Sequence, residues 1–184
     1  MKKPNLDIVN LVGITLIVVA IVSAGGLYYT ASTWADISEA YATIEVVISE
    51  VDIVRNNSTG EVELTAMFLI NNPSNLDIEI YRVEYMVNVD ISPTDIMDYD
   101  KYIGSGSVGS RNNTVTADSM REVQVTMSIN PNSTNMDRFN SAEQDGNVYV
   151  FLYGTLWYRI INYPEASQRM DGIYYMNSVE VRYG

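Results

Sequence analysis

The sequence predicts an antiparallel β-sandwich of about seven strands carried behind one N-terminal transmembrane helix. Three observations predict it. Ile8 to Tyr29 is apolar apart from Asn10, Thr15 and Ser23, and about 20 such residues at ~1.5 Å each match a hydrocarbon core of ~30 Å. Beyond it, short runs alternate apolar and polar residues, the period of a half-buried strand. Between those runs lie clusters of Asn, Gly, Ser and Pro, and no convincing amphipathic helix interrupts them. The chain therefore divides into residues 1–7, 8–29 (the span), 30–42 (a connector, either irregular or continuing the helix a few turns above the membrane) and 43–184 (the sandwich).

Lys2 and Lys3 precede the apolar run and predict a cytoplasmic N-terminus with the body of the chain outside, in the cell membrane. Tyr28, Tyr29 and Trp34 follow where an interfacial aromatic belt would lie. A cleavable signal peptide competes, because Val22-Ser23-Ala24 offers small residues to a peptidase; the apolar run continues past that point, which favours a retained anchor. A pilin-type leader fits less well, since Pro4-Asn5-Leu6-Asp7 occupies the place of its processing site.

A first strand is expected from about Thr43 to Val54, with Ile44, Val46 and Ile48 in phase before a shift to Val51 and Ile53. Asn56 to Gly60 is a turn. Glu61 to Val89 then reads as two strands folded back on each other through Asn71-Asn72-Pro73-Ser74-Asn75. Val62, Leu64, Ala66, Phe68 and Ile70 share one face of the first, and Pro73 stops the ladder. On the second, Leu76, Ile78 and Ile80 give way to Val83, Tyr85, Val87 and Val89, a slip that requires a β-bulge near Tyr81-Arg82. An acidic loop follows, then a short strand near 101–105, a Gly-Ser segment and a turn at Asn112-Asn113. Val123 to Ile129 alternates cleanly to Pro131. Residues 132–146 read as a loop with a helical turn. Asn147 to Ile160 and Ile173 to Tyr183 supply the last strands.

Composition narrows the chemistry. The chain has no Cys and no His, which removes the serine-protease triad, thiol nucleophiles, disulfides and Cys/His zinc sites. Its net charge is −12, so nucleic acid and anionic lipid headgroups would repel it. No cofactor and no enzymatic activity are expected.

Several segments together carry a family resemblance: Asn72-Pro73, Ile78-x-Ile80-x-x-Val83-x-Tyr85, Tyr102-Ile103-Gly104-Ser105-Gly106, the Val123–Ile129 strand and Gly154-Thr155-Leu156. In that order they resemble the type 2 late embryogenesis abundant family, also called the water-stress and hypersensitive-response domain, over roughly Thr43 to Tyr183. The resemblance implies an immunoglobulin- or fibronectin III-like sandwich without catalytic residues, connected with stress and with binding; membrane-anchored forms exist in that family. It offers no catalytic or ligand motif to carry over.

Four features are candidate sites. Tyr149, Phe151, Tyr153 and Trp157 share the second face of a strand whose first face is also apolar, with Tyr174 and Met176 as possible additions from the last strand. Such a face is either covered or a surface for a protein partner or a second copy. Asp95, Asp98 and Asp100, with Asp90, could supply hard oxygen ligands to Ca²⁺, though without EF-hand spacing. Asn56, Asn57, Asn112 and Asn132 head N-glycosylation sequons. The Ser105–Ser110 glycine segment reads as a hairpin turn rather than a phosphate loop, and Glu61 with Glu63 as solvated surface rather than an acid–base pair. The expected function is a binding or envelope-stabilising module. The alternative is an accessory subunit of a larger membrane or surface assembly, with a carboxylate hydrolase a distant third.

Overall fold

The structure is a computed structural model that describes residues 8–90, 101–144, 146 and 148–184, without the side chains of residues 8–10, 110–112, 164 and 165. Helix α1 (Ile8–Thr43) leads into eight strands: β1 (Glu45–Arg55), β2 (Val62–Asn72), β3 (Ile78–Asp90), β4 (Tyr102–Val115), β5 (Ser119–Ile129), β6 (Val148–Ile160), β7 (Tyr163–Val179) and β8 (Val181–Tyr183). A second helix, α2 (Thr134–Gln144), sits between β5 and β6. The strands form two four-stranded sheets: sheet A, in the order β5-β2-β1-β8, and sheet B, in the order β4-β3-β6-β7. All pairings are antiparallel except the short β8 against β1. The expected sandwich is present, with one strand more than the sequence suggests because Glu180 breaks the last run and sends β8 across to sheet A.

Helix α1 is long and apolar enough to cross a membrane, and none of its apolar window is covered by the rest of the chain. It does not stop where the apolar run stops. Residues 30–43 contain no Gly or Pro, so nothing breaks the helix. Its last turns dock on the sandwich: Ile37 and Ala40 are buried, the Tyr41 hydroxyl donates to the Ala166 carbonyl, and the Tyr41 and Tyr158 rings meet edge to face at 6.0 Å. The connector carries the helix on, as its residues allow, and ends in a docked joint.

Both predicted phase slips are bulges. The β1–β2 register shifts between Ile48 and Glu50, and β3 shifts against both neighbours between Ile80 and Arg82. In each case the extra residue restores the inward phase, so Val51 and Val83 remain buried.

The paired fold-back expected between β2 and β3 is instead an arch, because the two strands belong to different sheets. Pro73 cannot extend a ladder, and the buried Asn72 amide fixes the crossing. Its Nδ2 donates to the carbonyls of Leu76 (2.8 Å), Val115 (3.2 Å) and Thr116 (3.1 Å), while its Oδ1 accepts from the Ser74 hydroxyl at 2.7 Å. The β4–β5 crossover is held against the same arch, with Asp118 N donating to Ser74 O and Ala117 N to Asp77 Oδ1.

Two further expectations change. Strand β4 runs unbroken through the supposed turn at Asn112-Asn113; the additional residues are absorbed opposite the β3 bulge, where Ile80 pairs with Asn113 and Arg82 with Gly109. The Gly-Ser segment is therefore strand, neither hairpin turn nor phosphate loop. Its glycines make room for neighbouring side chains: a Cβ on Gly104 would run into Met127 Sδ of the opposite sheet, and one on Gly106 would lie 2.6 Å from Cζ of Tyr85, its partner on the adjacent β3. Residues 134–144 form three helical turns rather than one. The Ser133 hydroxyl caps the start by accepting from Met136 N, and Met136, Phe139 and Ala142 roof the core at the end opposite α1.

Candidate functional site

Three strands of sheet B build one continuous outer surface. Because β3, β6 and β7 are in antiparallel register, their outward side chains line up in rows: Asn88–Phe151–Met176, Met86–Tyr153–Tyr174, Glu84–Thr155–Asp171 and Arg82–Trp157–Arg169. Tyr149 extends the set beside Asp90 and Ser178. The four aromatic residues singled out in the sequence thus lie together, half-buried, on the face away from the core. Tyr174 and Met176 do join them, exposed to 59% and 56%. Tyr174 packs on Tyr153 at 5.3 Å and on Phe151 at 5.8 Å. Offset and edge contacts at such distances stabilise a pleated surface by cross-strand pairing.

Trp157 lies beyond the Glu84–Thr155–Asp171 row, among the charged side chains. Its indole Nε1 donates to Glu84 Oε2 at 3.0 Å, and the guanidinium carbons of Arg169 and Arg82 stand 5.0 and 5.5 Å from its ring centroid. Arg82 bonds Glu84, and Arg169 Nε donates to Asp171 Oδ1 at 2.7 Å, which also accepts from Thr155 Oγ1 at 2.9 Å. Indole donation, aided by the nearby arginines, holds the Glu84 carboxyl below its usual range. The Arg169 bond does the same for Asp171, and that bond raises Arg169 in turn. All of these groups stay charged near neutrality, so they organise the surface rather than transfer protons. An open depression of about 460 Å³ lies alongside, between Glu84, Ser105, Ser107, Tyr153 and Arg169.

Sequence reasoning missed Met86, Arg82, Glu84, Arg169 and Asp171. Their membership depends on which β3 and β7 positions oppose β6, and two bulges set that register. The β3 slip was visible; the slip at Gly154/Thr155, where Gly172 is the extra residue, was not.

The other candidates do not converge on this face. Asp95, Asp98 and Asp100 lie outside the described residues, and among the described residues no group of three or more acidic side chains is arranged to hold a metal. Asn56 and Asn57 lie in the β1–β2 turn, where Asn56 Oδ1 accepts from the amides of Ser58 (2.8 Å) and Thr59 (3.1 Å). Asn57 and Asn132 are exposed at the end remote from α1, and Asn112 falls on β4. Glu63 points out from sheet A, and Glu61 lies in the preceding turn.

No protein-family profile matches the chain, and no curated protein does at a significant level. Solved structures are similar in fold. An Arabidopsis thaliana protein determined in solution aligns with a TM-score of 0.56 at 16% identity, over 75% of this chain and 82% of that one. A candidate late embryogenesis abundant protein, also determined in solution, aligns at 0.49 and 12%, over 84% and 86%. A protein from Archaeoglobus fulgidus aligns at 0.44 and 10%, over 74% and 91%. The first of these likenesses shows a shared sandwich fold.

Proposed function

We propose that this chain is a membrane-anchored, non-enzymatic module of the type 2 late embryogenesis abundant kind. Its sandwich stands outside the cell and works by contact through the outer face of sheet B. The observation that carries the reading is the continuity of the apolar part of that face: Met86, Tyr174 and Met176, exposed to between 48% and 59%, adjoin the half-buried rings of Tyr149, Phe151 and Tyr153, with Trp157 beyond the Glu84–Thr155–Asp171 row and flanked by Arg82 and Arg169. Contiguous exposed apolar surface of this kind marks an interaction site. The family assignment is supported by the motif order from Asn72-Pro73 to Gly154-Thr155-Leu156 and by the fold shared with the Arabidopsis protein. Lys2 and Lys3 ahead of the span support the outward orientation. In that orientation the exposed Asn56, Asn57 and Asn132, with Asn112 on β4, are the glycosylation candidates, which an intact mass of native material reads directly.

The test is the double substitution Tyr153→Ser with Trp157→Ser in the full chain, solubilised from native membranes. A loss of co-purifying protein and a smaller native-gel species support the reading. Unchanged assembly and localisation overturn it. The continuous α1 joint favours a second reading: a helix fused rigidly to its domain suits a subunit of a larger membrane assembly, and a defined large complex retained by the same variant would point there.

A further inference from the structure

Both sheets turn apolar side chains outward, and charge separates them. On sheet A, Val47, Met67, Leu69 and Met120 are interleaved with Glu45, Glu50, Asp52, Glu63 and Glu122; among the described residues Arg182, paired to Asp52, is the one cation on that face. On sheet B every carboxylate described has its own partner: Arg82 with Glu84, Arg159 with Glu79, Arg169 with Asp171, and Lys101 with Asp90. A chain of net charge −12 therefore has one broad face whose described carboxylates are all paired, and it is the aromatic one.

From this we infer that the outer face of sheet B is a contact between two copies of this chain. The inference rests on the binding role proposed for that face and names its occupant. Two acidic bodies brought together through sheet A would oppose carboxylate to carboxylate. Through sheet B they meet apolar rings and neutralised pairs, so burial is not offset by like-charge repulsion. The single span confines copies to one plane, raising their effective concentration. The docked helical joint, with Ile37 and Ala40 buried, gives each copy the same height and tilt. A two-fold axis along the membrane normal then presents the same patch from both sides, as an isologous contact requires.

The chain contains no Cys, so a single introduced thiol reports only on its own position. Full-length Met86→Cys, Tyr174→Cys and Gln124→Cys variants, the last on the outer face of sheet A, are each reconstituted in neutral-lipid vesicles at low density and treated with a mild oxidant. Disulfide-linked dimer should form at least about tenfold faster at the two sheet B positions than at Gln124→Cys. Adding Tyr174→Glu, an exposed change that places new charge in the contact, should slow linking at Met86→Cys by about fivefold or more. Raising the salt should leave the rate unchanged or higher, since only long-range repulsion is screened. Equal rates at all three positions, or no effect of Tyr174→Glu, overturns self-association. If the Tyr153→Ser/Trp157→Ser variant still loses a different protein from native membranes, the face binds that protein instead and only the present inference falls. If that variant also changes nothing, the binding reading falls with it.

Discussion

Asn72 donates to three carbonyls from inside the protein, at 0% exposure. Replacing it with Ala removes the Nδ2 that all three share while the carbonyls of Leu76, Val115 and Thr116 stay where the two crossovers put them. Buried groups left unpaired are costly, so Asn72→Ala should lower the unfolding free energy by about 3 kcal/mol in denaturant titration; a loss below about 0.5 kcal/mol would show that the arch is held by something else. Gly154 makes a second test. A Cβ there would come within 2.6 Å of Phe68 Cε1, and Phe68 is fully buried. Gly154→Ala should therefore cost about 1–3 kcal/mol by overpacking, and Phe68→Leu in the same chain should recover part of it. Glu84 and Asp171 give the pH dependence. Both carboxyls are held below their ordinary values of 4.5 and 3.8, so their bonds to Trp157, Thr155 and the arginines stabilise the fold at higher pH and are lost as pH falls through the depressed values. With Trp34→Phe leaving Trp157 as the sole indole, emission should be flat from about pH 8 to about pH 5 and change only below that. A transition near neutrality would contradict the assigned pairs.

Single elements differed in how far they could be read from the chain. Strands β2 and β5 were legible because apolar residues recur at every second position from Val62 to Ile70 and from Val123 to Ile129, and β6 because a long run of β-branched and aromatic residues lies between turn signals. The bulges in β1 and β3 were legible for the same reason in reverse, since a phase slip inside an apolar run would otherwise turn the core outward. Partnership was not legible. Whether β2 and β3 pair or arch depends on Asn72 reaching carbonyls as distant in sequence as Thr116, which no local pattern records. Helix α2 was hidden because only Met136, Phe139 and Ala142 of its eleven residues face the core. The joint between α1 and the sandwich was half-visible: helix-compatible residues run through 30–43, but the docking of Ile37, Ala40 and Tyr41 is tertiary. It carries its own prediction. Amide exchange from Trp34 to Tyr41 should be slow, and Ile37→Asp should quicken it by about tenfold or more while the sheets stay protected. Exchange already at the rate of an open chain would mean a flexible tether.

At the scale of the molecule, each part limits where the others can act. On the proposed reading, the span holds the sandwich at a membrane, the docked helix fixes its attitude, and the acidity of sheet A leaves the aromatic face of sheet B as the surface on which a partner can settle. Oxidative footprinting of the full chain in its native membrane tests this most directly, because the free chain exposes matched residues on that face and away from it. Tyr174 and Tyr183 are 59% and 60% exposed, and Met176 and Met120 56% and 67%. If sheet B makes the contact, Tyr174 and Met176 should be oxidised several-fold more slowly in the membrane than in dilute detergent, with Tyr183 and Met120 unchanged. Equal oxidation of all four in both settings would contradict it.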